Sequence, residues 1–204
     1  MIAAHDVSGL ILAGGQGRRM QEAGRPAIEK GLVLLHARPL VAWATNALPI
    51  GLATVYISAN RYADAYGQYG VVVPDNPLLG HDVGPLAGVA SALARASTPW
   101  LYVAPVDVPC PPPQLFSALC SHVCRERAPL AYVQSTRPQP LFMLLNRCLL
   151  SDLERSLQQG LRKVQEWQQR HGTPVCIDDN DTAFFNVNSP DDLALAHQRI
   201  AAPS

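Results

Sequence analysis

The sequence predicts an α/β protein, a mostly parallel sheet with helices on both faces. Three observations carry that prediction. Short apolar runs alternate with amphipathic segments through the first half of the chain. The first apolar run ends in a turn holding Gly14, Gly15 and Gly17, followed by Arg18 and Arg19. The chain has 204 residues, 48% of them hydrophobic, which suits one such sheet and its covering helices.

The elements follow in order. Strands are expected over 9–13, 53–58, 70–73 and 101–104, short runs bounded by turn residues. Between them, amphipathic segments predict helices over 39–48, 61–69 and 85–96. This βαβ rhythm implies parallel strands, since a crossover helix returns the chain to the same end of the sheet. Pro111, Pro112 and Pro113 stop regular structure, and Pro113 suits the first turn of a helix over 114–127. Strands over 130–134 and 140–145 flank the turn-rich segment 135–139. Helices over 147–159 and 161–171 are separated by Gly160, and a short strand follows over 175–177. The acidic run Asp178, Asp179, Asn180 and Asp181 lacks EF-hand spacing and reads as a solvated turn. Ser189 as N-cap, Pro190 at the first helical position and Asp192 two further on start a last helix. No repeat, low-complexity tract or linker interrupts the chain, so a single domain over 1–204 is expected.

Composition excludes several classes. Formal net charge is zero and the pI is about 7.0, which argues against a broad nucleic-acid surface and leaves room for a local basic pocket. The five cysteines are odd in number and form no C-x-x-C, which disfavours a disulfide framework and a structural zinc site and fits a reducing compartment. Cys120 and Cys124 flank His122 on one predicted helix and read as buried structural thiols. No apolar run is long enough to span a membrane and the N-terminus lacks a signal-peptide pattern, so a cytoplasmic protein is expected. Of 16 basic residues only Lys30 and Lys163 are lysines, which draws attention to both.

Five segments carry chemistry. A Gly-rich turn at a strand end lets backbone N–H groups approach a phosphate, and Arg18 and Arg19 add charge; solvated arginines on a tight turn are the plain alternative. Lys30, shortly after it, is suited to neutralising a polyphosphate. Gly84, Pro85, Leu86, Ala87 and Gly88 open a helix whose N–H groups suit an anionic or polar ligand, or simply begin a Pro-initiated helix. Asp107 follows an apolar strand between Pro105 and Pro109, well placed to hold Mg²⁺, with a turn aspartate as the alternative. Asn186 and Asn188 alternate about Val187, so both amides face one way, toward a ligand or to tie a turn.

The order of these segments resembles a known family. L-A-G-G-x-x-x-R-M at 12–20, K-G-L at 30–32, G-P-L-A-G at 84–88, D-x-P at 107–109, P-L-F at 140–142, R-K-V at 162–164 and F-x-N-x-N-S-P-x-D-L at 184–193 look like the molybdenum cofactor guanylyltransferases. The resemblance implies a Rossmann-like sheet of the nucleotide-diphospho-sugar transferase type. It implies transfer of GMP from GTP to the terminal phosphate of molybdopterin, with release of pyrophosphate and with Mg²⁺, or Mn²⁺, on Asp107. Residues 1–110 would then bind nucleotide and 111–204 the acceptor. Leu12, Ala13, Gly14 and Gly15 would cradle GTP, Asn60 and Asp75 would contact it, and Asp75 would accept from guanine N1–H and N2–H₂. Lys30, Arg19 and Asp107 would carry the catalysis. Arg162, Lys163, Asn186 and Asn188 would hold the pterin. Transient contacts with molybdoenzymes or their chaperones follow from the same likeness.

One departure stands out. Nine residues separate Met20 from Lys30, five more than in the family pattern R-M-G-G-x-D-K-G-L, and Glu29 replaces its Asp. A mobile lid over 18–31 that closes on GTP, with Gly17, Gly24 and Gly31 as hinges, is the expectation here. Relatives using CTP or another phosphorylated acceptor, and a non-catalytic cofactor-binding chaperone, are the alternative functions.

Overall fold

The computed structural model describes residues 2–14, 29–80, 83–178 and 183–201. Its centre is a seven-stranded sheet built from β1 (Val7–Leu12), β4 (Val55–Ser58), β5 (Val71–Val73), β6 (Trp100–Pro105), β7 (Leu130–Gln134), β8 (Pro138–Asn146) and β9 (Thr173–Cys176). The strand order is β5-β4-β1-β6-β8-β7-β9. Pairings are parallel except at β8, which runs antiparallel to both β6 and β7. The α/β class and the mostly parallel sheet are as predicted.

Among the described residues, seven α-helices cover the sheet: α1 (Leu40–Asn46), α2 (Ala63–Tyr66), α3 (Pro85–Arg95), α4 (Leu115–Glu126), α5 (Leu150–Gln158), α6 (Val164–His171) and α7 (Pro190–Arg199). The alternation of side chains along a strand sorts the core into two layers. On β1, Val7 and Ile11 belong to the layer that holds Trp43 of α1, Leu119 of α4 and Ala196 of α7. Leu10, facing the other way, belongs to the layer that holds Leu86 and Leu93 of α3, Leu153 of α5 and Trp167 of α6. The central strands are buried on both faces, as parallel strands covered by helices must be. Ser8 is fully buried there, and its hydroxyl is satisfied by Thr98 Oγ1 at 2.8 Å.

Several elements differ from the sequence reading. The helix expected over 61–69 is only Ala63–Tyr66; its start is set by Tyr62, whose left-handed conformation (φ 55°) keeps 61–62 out of the helix. The helix expected over 161–171 starts at Val164: Gly160 has φ 92° and Lys163 is extended. The segment 147–159 opens with a 3-10 turn, Arg147–Leu149, before α5. A small hairpin went unforeseen, β2 (Leu34–Leu35) with β3 (Arg38–Pro39). Its turn residues His36 and Ala37 both have positive φ, a geometry that Asn-Gly signals and His-Ala does not. Only Cys120 of the five thiols is buried, so the reading of Cys124 as a buried structural thiol is corrected: its position on α4 faces out. Burial, with Cys124 nearby, pushes the Cys120 thiol up to about 11. Among the described residues, no helix is long and apolar enough to cross a membrane.

Candidate active site

The chain leaves β1 toward β4 and β5, then crosses back to β6 on the opposite side of β1. Connections therefore diverge between β1 and β6, and the carboxyl ends of these two strands border a crevice. Ala13 N–H donates to Ser58 O (3.0 Å) and Val106 N–H donates to Leu12 O (3.2 Å), so the segment after β1 is laced to the ends of both neighbours. Gly14 is exposed at that crevice, and a Cβ there would come no nearer than 3.5 Å to Ser58 O. Its backbone is open to a ligand from the front.

Asp107 stands just beyond β6 and meets two residues remote in sequence. Lys30 Nζ donates to Asp107 Oδ2 at 2.6 Å and also to Asn188 Oδ1. The Lys30 and Asp107 side chains are 12% and 22% exposed, so the pair is shielded though not sealed from water. Local structure explains the meeting. Lys30 opens a 3-10 turn, Lys30–Leu32, closed by Leu32 N–H on Glu29 O. Val187 is buried and its N–H donates to Asp107 O (2.9 Å), which docks the 186–188 segment against the end of β6. Asn188 is then held from behind: its N–H donates to Asp192 Oδ2, and Ser189 caps α7 by accepting from Asp192 N–H.

This arrangement fits a divalent cation. Two hard oxygens, Asp107 Oδ2 and Asn188 Oδ1, already converge on one positive charge, the Lys30 ammonium. Among the described residues there is no cluster of three His, Cys, Asp or Glu that forms an all-protein cage. One carboxylate plus substrate phosphates is the usual complement for Mg²⁺.

On the other side of β1, Asn60 and Asp75 form a reciprocal pair. Asn60 Nδ2 donates to Asp75 Oδ2 (2.8 Å) and Asp75 N–H donates to Asn60 Oδ1 (2.8 Å). The ends of β4 and β5 are thereby fixed to each other. The two glycines of the α3 opening have separate reasons. Gly84 has φ 84°, a left-handed conformation that a side chain resists. At Gly88 a Cβ would lie 2.2 Å from Ser58 Oγ, so only glycine lets α3 approach β4 this closely.

Glu29, noted in the sequence only as a replacement, is 8% exposed. Its Oε1 accepts from the Tyr66 hydroxyl (3.0 Å) and its Oε2 from Arg61 Nη2 (2.9 Å). Burial, then the Glu29 carboxylate, push the Tyr66 hydroxyl far above its ordinary range, so it stays a donor. Gly31 is buried against Tyr66, and a Cβ there would lie 2.5 Å from the Tyr66 hydroxyl oxygen. Nothing in the sequence marks Glu29, Arg61 and Tyr66 as partners, since 32 and 37 positions separate Glu29 from the other two.

The remaining predicted residues fare differently. Asn186 turns back on its own segment, with Nδ2 donating to Phe184 O at 3.4 Å, so the pair of amides does not act side by side. Arg162 donates from Nη1 to Leu157 O and Leu161 O, closing the end of α5. Arg162 and Lys163 line a cavity of about 390 Å³ between α5 and α6, apart from Asp107. A larger cavity, about 620 Å³, is bordered by Trp43, Pro111, Phe185 and Arg199. Gly15, Arg19 and the lid segment 18–28 lie outside the described residues.

A crevice at a sheet switch point, with a carboxylate and a lysine meeting on its rim, is the arrangement of a nucleotidyltransferase. Residues 9–173 match the model of the MobA-like NTP transferase domain. The chain belongs to the molybdenum cofactor guanylyltransferase family. It is 38% identical to the molybdenum cofactor guanylyltransferase of Acidovorax ebreus, over 93% of this chain and 94% of that one. Among solved structures it resembles molybdopterin-guanine dinucleotide biosynthesis protein A of Archaeoglobus fulgidus, with a TM-score of 0.73, 25% identity, and 94% and 97% of the two chains covered. The fold is shared as well by Rv0371c of Mycobacterium tuberculosis in complex with manganese, with a TM-score of 0.65, 15% identity, and 95% and 99% of the two chains covered.

Proposed function

We propose that this enzyme transfers GMP from GTP to the terminal phosphate of molybdopterin, with or without bound molybdenum. A phosphate oxygen of the acceptor attacks the α-phosphorus. The bond from that phosphorus to the oxygen bridging to the β-phosphate breaks, and pyrophosphate leaves with the electron pair. The attacking phosphate is already an anion, so no protein base is needed; alignment and charge neutralisation suffice.

The chain's residues divide that work. Leu12, Ala13, Gly14 and Gly15 cradle the nucleotide at the switch point. Asp75, held by Asn60, presents a carboxylate oxygen to guanine N1–H and N2–H₂. Lys30 moves its ammonium from Asp107 to the phosphate oxygens as charge develops, assisted by Arg19. Mg²⁺ held by Asp107 supplies charge neutralisation to the triphosphate when bound. Asn188, which shares Lys30 with Asp107, marks the junction of a nucleotide half (1–110) and an acceptor half (111–204) of one domain. Arg162, Lys163 and Asn186 serve the pterin. The five unpaired thiols suit work in the cytoplasm, with transient delivery of product to molybdoenzymes or their chaperones.

The observation that carries this reading is the meeting of Lys30, Asp107 and Asn188 at one point of the crevice. The test is incubation with GTP, Mg²⁺ and molybdopterin. Pyrophosphate release and a pterin product that yields GMP on hydrolysis are expected. Turnover with CTP in place of GTP, yielding CMP, would overturn the nucleotide assignment.

A further inference from the structure

We propose that Glu29 is a positioning residue for Lys30, and that it ties Lys30 to the loop that carries Asn60. The proposal rests on the catalytic role given to Lys30 above. Both ends of Glu29 are committed. Its carbonyl accepts from Leu32 N–H (3.0 Å) and so closes the turn that Lys30 opens. Its carboxylate, with 7% of the side chain exposed, is held by Tyr66 of α2 and by Arg61. Each carboxylate oxygen has a different donor, one on α2 and one on the loop before it, which fixes the side chain in rotation as well as position. Gly31 lies against the Tyr66 ring, where a Cβ would come within 2.5 Å of the hydroxyl oxygen, so the turn packs directly on α2. Arg61 follows Asn60, whose side chain is paired with Asp75. A continuous series of contacts therefore runs from Asp75 through Asn60, Arg61 and Glu29 to Lys30 and Asp107, across the front of β1. Its two ends are the proposed base site and the proposed phosphate site.

The two partners of the Arg61–Glu29 ion pair are unequal. Arg61 is 44% exposed and returns to water if Glu29 is neutralised, whereas Glu29 without Arg61 is a buried carboxylate left with one hydroxyl. Glu29→Gln is therefore the informative variant, since it keeps the shape and a Tyr66 contact while releasing Arg61.

The experiment compares Glu29→Gln, Lys30→Ala and the double variant by steady-state kinetics, GTP affinity by calorimetry, and thermal melting. Glu29→Gln is expected to melt within a few degrees of the parent, to lose about tenfold or more in kcat, and to change GTP affinity less than about threefold. Added to Lys30→Ala, it is expected to cost nothing more in kcat, because Glu29 acts only through Lys30. A folded Glu29→Gln enzyme with kcat within twofold of the parent overturns the proposal, as does a full additional loss in the double variant. If Glu29→Gln melts early, Tyr66→Phe, which removes one bond to the same carboxylate, is read by the same criteria. A Lys30→Ala enzyme of normal kcat refutes the role of Lys30 instead, and is told apart because it is measured on its own.

Discussion

Lys30 Nζ lies 2.6 Å from Asp107 Oδ2, although 77 positions separate the two residues. The lysine comes from a short turn before α1 and the aspartate from the end of β6. Their contact holds a basic and an acidic group in register at the mouth of the sheet, with Asn188 as the third member.

Removing either member of this pair should cost catalysis far more than stability. Lys30→Ala is expected to lower kcat by about 10²–10³-fold, the usual cost of losing one preorganised charge-stabilising group. GTP affinity should fall less, because that charge matters most as charge develops. Asp107→Ala should abolish metal-dependent transfer while circular dichroism and melting stay near those of the parent. Near-normal turnover of Asp107→Ala with Mg²⁺ would remove the metal assignment.

The reciprocal pair of Asn60 and Asp75 should behave as a unit. Asp75→Ala is expected to weaken GTP binding by about 1.5–3 kcal/mol, as for loss of a charged hydrogen bond, and to narrow the preference for GTP over CTP. Asn60→Ala should have a similar effect by releasing Asp75, and the double variant should lose much less than the sum. Calorimetric titration with both nucleotides checks this. Strict additivity would mean that the two residues act on GTP separately.

Gly88 and Ser58 set how closely α3 packs on β4. Gly88→Ala puts a methyl 2.2 Å from Ser58 Oγ and 3.0 Å from Ser58 Cβ, so one element must shift. Overpacking of this kind typically costs about 1–3 kcal/mol. Urea titration should show a lowered midpoint, and Ser58→Gly in the same chain should restore part of it. A Gly88→Ala protein with an unchanged midpoint would show that α3 can move away freely.

Tyr66 and Tyr102 link stability to alkaline pH. Burial, and for Tyr66 next the Glu29 carboxylate, raises both hydroxyls well above the ordinary 10.0. The native state therefore keeps protons that the unfolded chain loses, so stability is full below about pH 10 and falls as pH rises further. Absorbance titration near 295 nm reads the ionisation of the six tyrosines. Tyr66 and Tyr102 should ionise only with unfolding. The difference should appear on comparing Tyr66→Phe and Tyr102→Phe with the parent.

The α/β class, the mostly parallel sheet and the start of α7 were legible in the sequence because they depend on near neighbours. Short apolar runs bounded by turn residues mark the strands, and Ser189, Pro190 and Asp192 form a local cap that the structure reproduces. Asp107 was legible for the same reason, as a carboxylate at the end of an apolar run. The left-handed residues His36, Ala37 and Tyr62 were not, because residue type at those positions does not demand positive φ. Nor was the division of labour between Asn186 and Asn188: spacing puts both on one side, but only Asn188 meets Lys30. Glu29 differs most between the two views. In the sequence it is one charged residue of 32. Folding buries its carboxylate between Arg61 and Tyr66, and long-range packing alone selects those partners. Local propensity and pattern thus determined which segments form the sheet and which residue types end its strands. The tertiary structure decided which of those residues share a charge, because burial and distance across strands are properties of the assembled sheet.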